Sequence, residues 1–155
     1  MIIIGYPGIG KSTIARRNNN FIDLESSNFR IDGERAANWY KPYCNIAEDL
    51  SQQGHIVFVS CHEEVREQLK HSDELVIVVY PALELQNEWI DRLRNRYNQT
   101  GSLKDKNALE QAKNNYCKNI TTLENSNFNY KIILKRMNYD LEAFIIQMNN
   151  EIHGY

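Results

Sequence analysis

The chain opens on an apolar, β-branched run at residues 1–4, followed at once by Gly5-Tyr6-Pro7-Gly8-Ile9-Gly10-Lys11-Ser12-Thr13. The run reads as a buried strand. Residues 11–17 read as a short helix, which the three asparagines at 18–20 break after about two turns. Between strand and helix, Gly5, Gly10, Lys11 and Ser12 stand in the order Gly-x4-Gly-Lys-Ser. Glycines allow a tight turn in which successive backbone N–H groups converge on a phosphate without Cβ clashes. The helix N-terminus adds further donors and a favourable dipole. Lys11 is long enough to reach the terminal phosphates, and the Ser12 hydroxyl can ligate Mg2+. Chance produces the four constrained positions in roughly one chain per few hundred of this size. The strand before and the helix after make coincidence rarer still.

The remainder of the chain alternates between the strand and helix periods. Strands are expected at 21–25, 55–60, 74–80 and 130–134. Helices are expected at 39–53, 61–70, 83–98, 103–123 and 141–152, with a polar loop at 26–38 that holds a short helical piece near 33–37. Continuous apolar strands alternating with helices specify an α/β fold, its parallel sheet covered on both faces. With 155 residues, 42% of them hydrophobic, a single domain over 1–155 is expected. Lys and Arg number 18 against 20 Asp and Glu, a net charge of -2, so no global charge draws the chain to nucleic acid. The longest apolar runs are too short to cross a bilayer, and no basic segment precedes the first of them. Cys44, Cys61 and Cys117 are far apart and form no CxxC pair. Free thiols in a reducing cytosol, and hence a cytoplasmic location with no membrane partner, are the expectation.

Two further clusters suit phosphoryl transfer. Asp23 and Glu25 fall on one face of the second expected strand near its carboxyl end, the edge at which open α/β sheets hold ligands. One acid there can orient or deprotonate an acceptor hydroxyl, and either can serve Mg2+ through water. The third expected strand ends without an acid; Ser60, Cys61 and His62 occupy its corner, with Arg66 one turn on. The second cluster is Asp91-Arg92-Leu93-Arg94-Asn95-Arg96. Arg92 and Arg96 share a helix face at i,i+4, and a guanidinium pair suits a phosphoryl group whose charge builds on its oxygens. The competing expectation for this segment is a solvated face, with Arg92 paired to Glu88 and Arg96 to Asp91 or Glu88. Leu85, Trp89, Ile90 and Leu93 read as packing residues, while Trp39, Tyr40 and Tyr43 are open to either packing or base stacking.

Taken together, these residues resemble a family. GYPGIGKST is similar to the phosphate loop of small kinases of the nucleoside monophosphate kinase-like class, which includes adenylate and shikimate kinases and the kinase part of polynucleotide kinases. The resemblance implies a three-layer P-loop kinase fold with a five-stranded parallel sheet in the order 2-3-1-4-5 and a helical lid at 84–120. It implies that Gly8, Ile9, Gly10, Lys11, Ser12 and Thr13 bind ATP phosphates, with Ser12 and Asp23 serving Mg2+. Asp23 and Glu25 resemble the acid-x-acid arrangement of shikimate-type kinases, and Arg92 and Arg96 resemble lid arginines. Residues 130–134 and the turn at 135–138 would lie near the adenine.

The expected activity is ATP-dependent phosphoryl transfer to a small nucleotide or nucleoside, with Lys11, Asp23, Glu25, Arg92 and Arg96 as its catalytic residues. The alternatives are a hydroxyl on a polynucleotide or modified base, and a non-catalytic ATP-binding regulatory module. The sequence does not identify an acceptor.

Overall fold

Ile2, Ile3 and Ile4 have no solvent exposure at all, a state that neighbouring strand residues reach only when both faces of their sheet are covered. They belong to β1 (Ile2–Gly5), the central strand. The computed structural model describes residues 1–31 and 34–154. Its main sheet contains β2 (Phe21–Asp23), β5 (Ile56–Ser60), β6 (Val76–Pro81) and β7 (Tyr130–Leu134) beside β1. All pairings are parallel. The spatial order is β2-β5-β1-β6-β7, which is 2-3-1-4-5 when only the strands of this sheet are counted. Every residue of β6 is buried, as expected for an apolar interior strand.

The register lines up the carboxyl ends on one side of the molecule. Gly5 stands opposite Ser60 of β5 and Val79 of β6, and Asp23 stands opposite Phe58. The helices are α1 (Lys11–Arg17), α2 (Tyr40–Gln52), α3 (Glu63–Leu69), α4 (Gln86–Thr100), α5 (Leu103–Glu124) and α6 (Leu141–His153). Asn18 ends α1 in an extended conformation, and its side chain then accepts from the Asn20 backbone N–H at 3.0 Å. The asparagine run is therefore a turn that returns the chain into β2.

Three local expectations are corrected. The second strand stops at Asp23 rather than Glu25, although the Leu24 N–H still donates to the Phe58 carbonyl. Of the helical piece expected near 33–37, residue 33 lies outside the described residues. Glu34–Arg35 forms an antiparallel ribbon (β4) with Arg30–Ile31 (β3), preceded by a 3-10 turn at Ser26–Phe29. The helix expected from residue 83 begins as a 3-10 turn at Leu83–Leu85 before α4 starts.

Helices α4 and α5 form an antiparallel hairpin. Gly101 closes α4 in the left-handed region (φ 61°), and Ser102 caps α5 by accepting from the Asp105 N–H. The base of α4 is core. Trp89 and Leu93 are fully buried, and each such side chain contributes about 1.5–3 kcal/mol through burial. The base of the hairpin is consequently a fixed part of the domain. Among the described residues no helix is long and apolar enough to cross a membrane.

Candidate functional site

The site is built outward from the turn between β1 and α1. Gly8 and Gly10 have positive φ (91° and 107°), the region that glycine alone adopts without strain. At Gly8 space is short as well: a Cβ would stand 3.1 Å from both Leu93 Cδ2 and Trp89 Nε1. The loop is thus seated against α4. Its outward carbonyls have side-chain donors. Trp89 Nε1 donates to Pro7 O at 2.8 Å, Arg92 Nη1 to Gly8 O at 3.1 Å and the Tyr139 hydroxyl to Ile9 O at 2.8 Å. Gly10, which has no side chain to offer as a cap, stands at the N-cap of α1. Ser12 and Thr13 are exposed.

Lys11 folds back so that its Nζ donates to Gly5 O at 3.4 Å. Burial pushes its ammonium below the ordinary lysine value, and the nearby Asp23 carboxylate opposes that shift. Asp23 experiences the mirror image. Burial raises its carboxyl, Lys11 lowers it, and Glu25, a like charge within hydrogen-bonding reach, pushes it up again. Lysine, aspartate and glutamate therefore form one electrostatic unit at the carboxyl ends of β1 and β2.

Glu25 has a partner that the sequence did not suggest. Lys104, in the first turn of α5, places its Nζ 2.6 and 2.7 Å from Glu25 Oε1 and Oε2. The tip of the helical hairpin is thereby fastened to the strand edge that carries the two acids. The contact joins residues 79 apart in sequence, and no local pattern announces it.

The two arginines expected to act together have different targets. Arg92 Nη1 bonds to Gly8 O and to the Tyr139 hydroxyl (2.8 Å), and its Nη2 bonds to Met137 O (3.2 Å). Arg96 pairs with the buried Asp105 at 3.2 Å, in the turn that also holds Thr100 and Ser102. Arg94 pairs with Asp91. The Glu88 and Asp91 partners that a solvated face would provide for Arg92 and Arg96 are replaced by these.

The corner at the end of β5 is ordered by Tyr43. Its hydroxyl donates to Leu24 O at 2.6 Å and accepts from the Ser60 N–H at 2.9 Å, tying the ends of β2 and β5 together. Tyr43 has no exposure, which decides it as a packing residue and excludes base stacking. Ser60 Oγ lies 2.8 Å from His62 Nδ1, and the Trp39 ring meets the His62 ring edge-on at 5.4 Å. Arg66 donates to Cys61 O at 3.1 Å. Cys61 adjoins Lys11, and burial pushes its thiol up, so it is not poised as a thiolate nucleophile.

On the other side of the loop lies an open cleft of about 480 Å3. Gly8, Gly10, Thr13 and Arg17 line it together with Arg92, Met137, Tyr139 and Leu141. Met137 belongs to the turn at 135–138. Among the described residues no group of three or more His, Cys, Asp and Glu side chains could hold a metal by itself. Mg2+ does not require one, because it usually takes one or two carboxylates and completes its shell with substrate phosphates and water.

Neither a protein-family model nor a curated protein matches the chain by sequence.

Proposed function

We propose that the protein is an ATP-dependent phosphotransferase of the small P-loop kinase type, acting on a nucleotide or nucleoside. The observation that supports this best is the position of Lys11, between the glycine loop from which it springs and the half-buried Asp23 at the end of β2. A cation in that position lies between a phosphate held by the loop and an acceptor oriented by the acid.

In this reading the N–H groups of Gly8, Ile9 and Gly10, together with those opening α1 at Lys11, Ser12 and Thr13, receive the triphosphate. The 480 Å3 cleft beside the loop receives the nucleoside part. Lys11 exchanges its weak bond to Gly5 O for the transferring phosphoryl oxygens. Asp23 accepts the hydrogen bond of the acceptor hydroxyl and aligns it for in-line attack. Glu25 stands beside it, held by Lys104, and the hairpin tip at 96–104 excludes water from the same edge. Ser12 and Asp23 are the residues that would hold Mg2+, which when bound neutralises charge on the phosphate oxygens.

The discriminating experiment is a panel of acceptors incubated with γ-labelled ATP. Transfer to mononucleotides or nucleosides is the expected result. Transfer confined to oligonucleotide ends would move the acceptor to nucleic acid. Tight ATP binding with no transfer to any acceptor would leave a nucleotide-binding regulatory module.

A further inference from the structure

Three consecutive carbonyls of the loop, those of Pro7, Gly8 and Ile9, accept hydrogen bonds from three side chains outside it: Trp89, Arg92 and Tyr139. In a trans peptide the C=O of one residue and the N–H of the next point to opposite sides. Holding the carbonyls of residues 7, 8 and 9 outward therefore turns the N–H groups of Gly8, Ile9 and Gly10 inward. Those are the donors a phosphate needs.

We infer that Trp89, Arg92 and Tyr139 form a carbonyl clamp that sets the loop in its anion-receiving shape before any ligand arrives, with Arg92 as a positioning residue. The inference rests on the proposed role of the loop in binding phosphate, and it adds how the loop's geometry is maintained.

Arg92 is the hub of the clamp. Its guanidinium bonds to Gly8 O, to Met137 O and to the Tyr139 hydroxyl, which itself donates to Ile9 O. Its charge lies 4.5 Å from the Trp89 ring centre and 5.5 Å from that of Tyr139, and the two rings are within 12° of parallel. Bonding to three separate oxygens from one cation set beside two aromatic rings is a requirement that the arginine fork meets and lysine does not. The clamp also links three distant parts of the chain: the loop, α4, and the segment leading into α6.

This role separates experimentally from that of an arginine reaching for the transferring phosphoryl. A phosphoryl-neutralising arginine acts on kcat, lysine replaces part of its charge, and Tyr139→Phe leaves the reaction unchanged. A clamp gives a different pattern. Tyr139→Phe alters no formal charge, yet it should weaken binding of ATP and of pyrophosphate by about three- to tenfold. Arg92→Ala should weaken both by at least tenfold, and Arg92→Lys should not restore them. The loss should fall on nucleotide KM more than on kcat. Thermal unfolding identifies any variant that has merely lost its fold, and such a variant is replaced by Tyr139→Phe alone.

A second readout needs no ligand. Backbone 15N order parameters at Gly8, Ile9 and Gly10 should be those of rigid backbone, about 0.85, in the wild type and should fall below about 0.6 in Arg92→Ala. Unchanged order parameters in Arg92→Ala and Tyr139→Phe overturn the clamp. So do unchanged pyrophosphate affinities in a protein that binds pyrophosphate. Should the wild type bind neither ATP nor pyrophosphate, the phosphate-binding reading fails, and the order parameters alone decide the clamp.

Discussion

Lys104 and Glu25 meet across 79 residues of sequence, with the lysine Nζ within 2.7 Å of both carboxylate oxygens. Both side chains are partly exposed, so the pair contributes little to stability, about 0–1 kcal/mol. In the proposed reaction its importance is local, because it places a cation beside two acids at the edge assigned to the acceptor. Lys104→Ala should leave the melting temperature within about 4 °C of wild type. It should raise acceptor KM by up to about fivefold while nucleotide KM stays constant. Equal changes in the two KM values would remove Lys104 from the acceptor side.

Gly8 has little room for a methyl group. Its φ is 91°, and a Cβ would press at 3.1 Å on the fully buried Trp89 and Leu93. Gly8→Ala should cost about 1–3 kcal/mol in urea unfolding and abolish measurable ATP binding by titration calorimetry. Gly154 is the control, with φ 76° and no atom within 4 Å of the place a Cβ would take. Alanine there should leave ATP affinity at the wild-type value.

In the proposed reaction Asp23 acts on the acceptor, so its substitution should separate binding from chemistry. Asp23→Asn preserves shape and hydrogen bonding but removes the carboxylate, so affinity for ATP without Mg2+ should remain within about threefold while transfer falls by about 100-fold or more. Rapid-quench measurement at saturating ATP reads the transfer step, and titration calorimetry reads the affinity. A wild-type transfer rate in Asp23→Asn would assign the acceptor proton to another group.

Asp105 gives the hairpin tip a pH dependence. Burial pushes its carboxyl up, but Thr100, Arg96 and Ser102 together hold it below the ordinary value of 3.8. A carboxyl depressed in the folded state contributes stability that is complete above its ordinary value and is lost as pH falls through the depressed one. Asp105→Asn should therefore destabilise the protein by about 1–2 kcal/mol at pH 7. The difference from wild type should shrink below pH 3.8. A difference independent of pH would mean that the carboxylate charge plays no part. Arg96→Ala should reproduce part of the loss, since its guanidinium is 3.2 Å from Asp105.

The legible part of this protein is what short-range pattern encodes. The strand run at 1–4, the glycine spacing at 5–10 and the asparagine stop at 18 each act within a few residues, and the corresponding elements form there. The alternation of apolar runs with amphipathic segments was enough for the parallel sheet, and the family resemblance carried its strand order. The hairpin break near Gly101 was equally readable, because that glycine takes the left-handed conformation closing α4. The pairing of Arg30–Ile31 with Glu34–Arg35 was not, since two-residue strands are too short to display a period. In the site, the sequence brought forward Lys11, Asp23 and Glu25 but supplied none of the contacts made at long range. Tyr139 meets Arg92 across 47 residues, and Lys104 meets Glu25 across 79. The two arginines at i,i+4 looked like partners because helix geometry aligns them. Which neighbours their guanidinium groups find depends on tertiary packing, which the spacing does not contain.

In the proposed reaction the glycine loop holds the triphosphate with its terminal phosphate between Lys11 and Asp23. A crystal structure with Mg2+ and a non-hydrolysable ATP analogue measures this directly. Lys11 Nζ should lie within about 3 Å of a γ-phosphate oxygen, the amides of residues 8–13 around the β-phosphate, and the Asp23 carboxylate should face the γ-phosphorus from the acceptor side. A triphosphate bound away from the loop, or one whose γ-phosphate points away from Asp23, would contradict it.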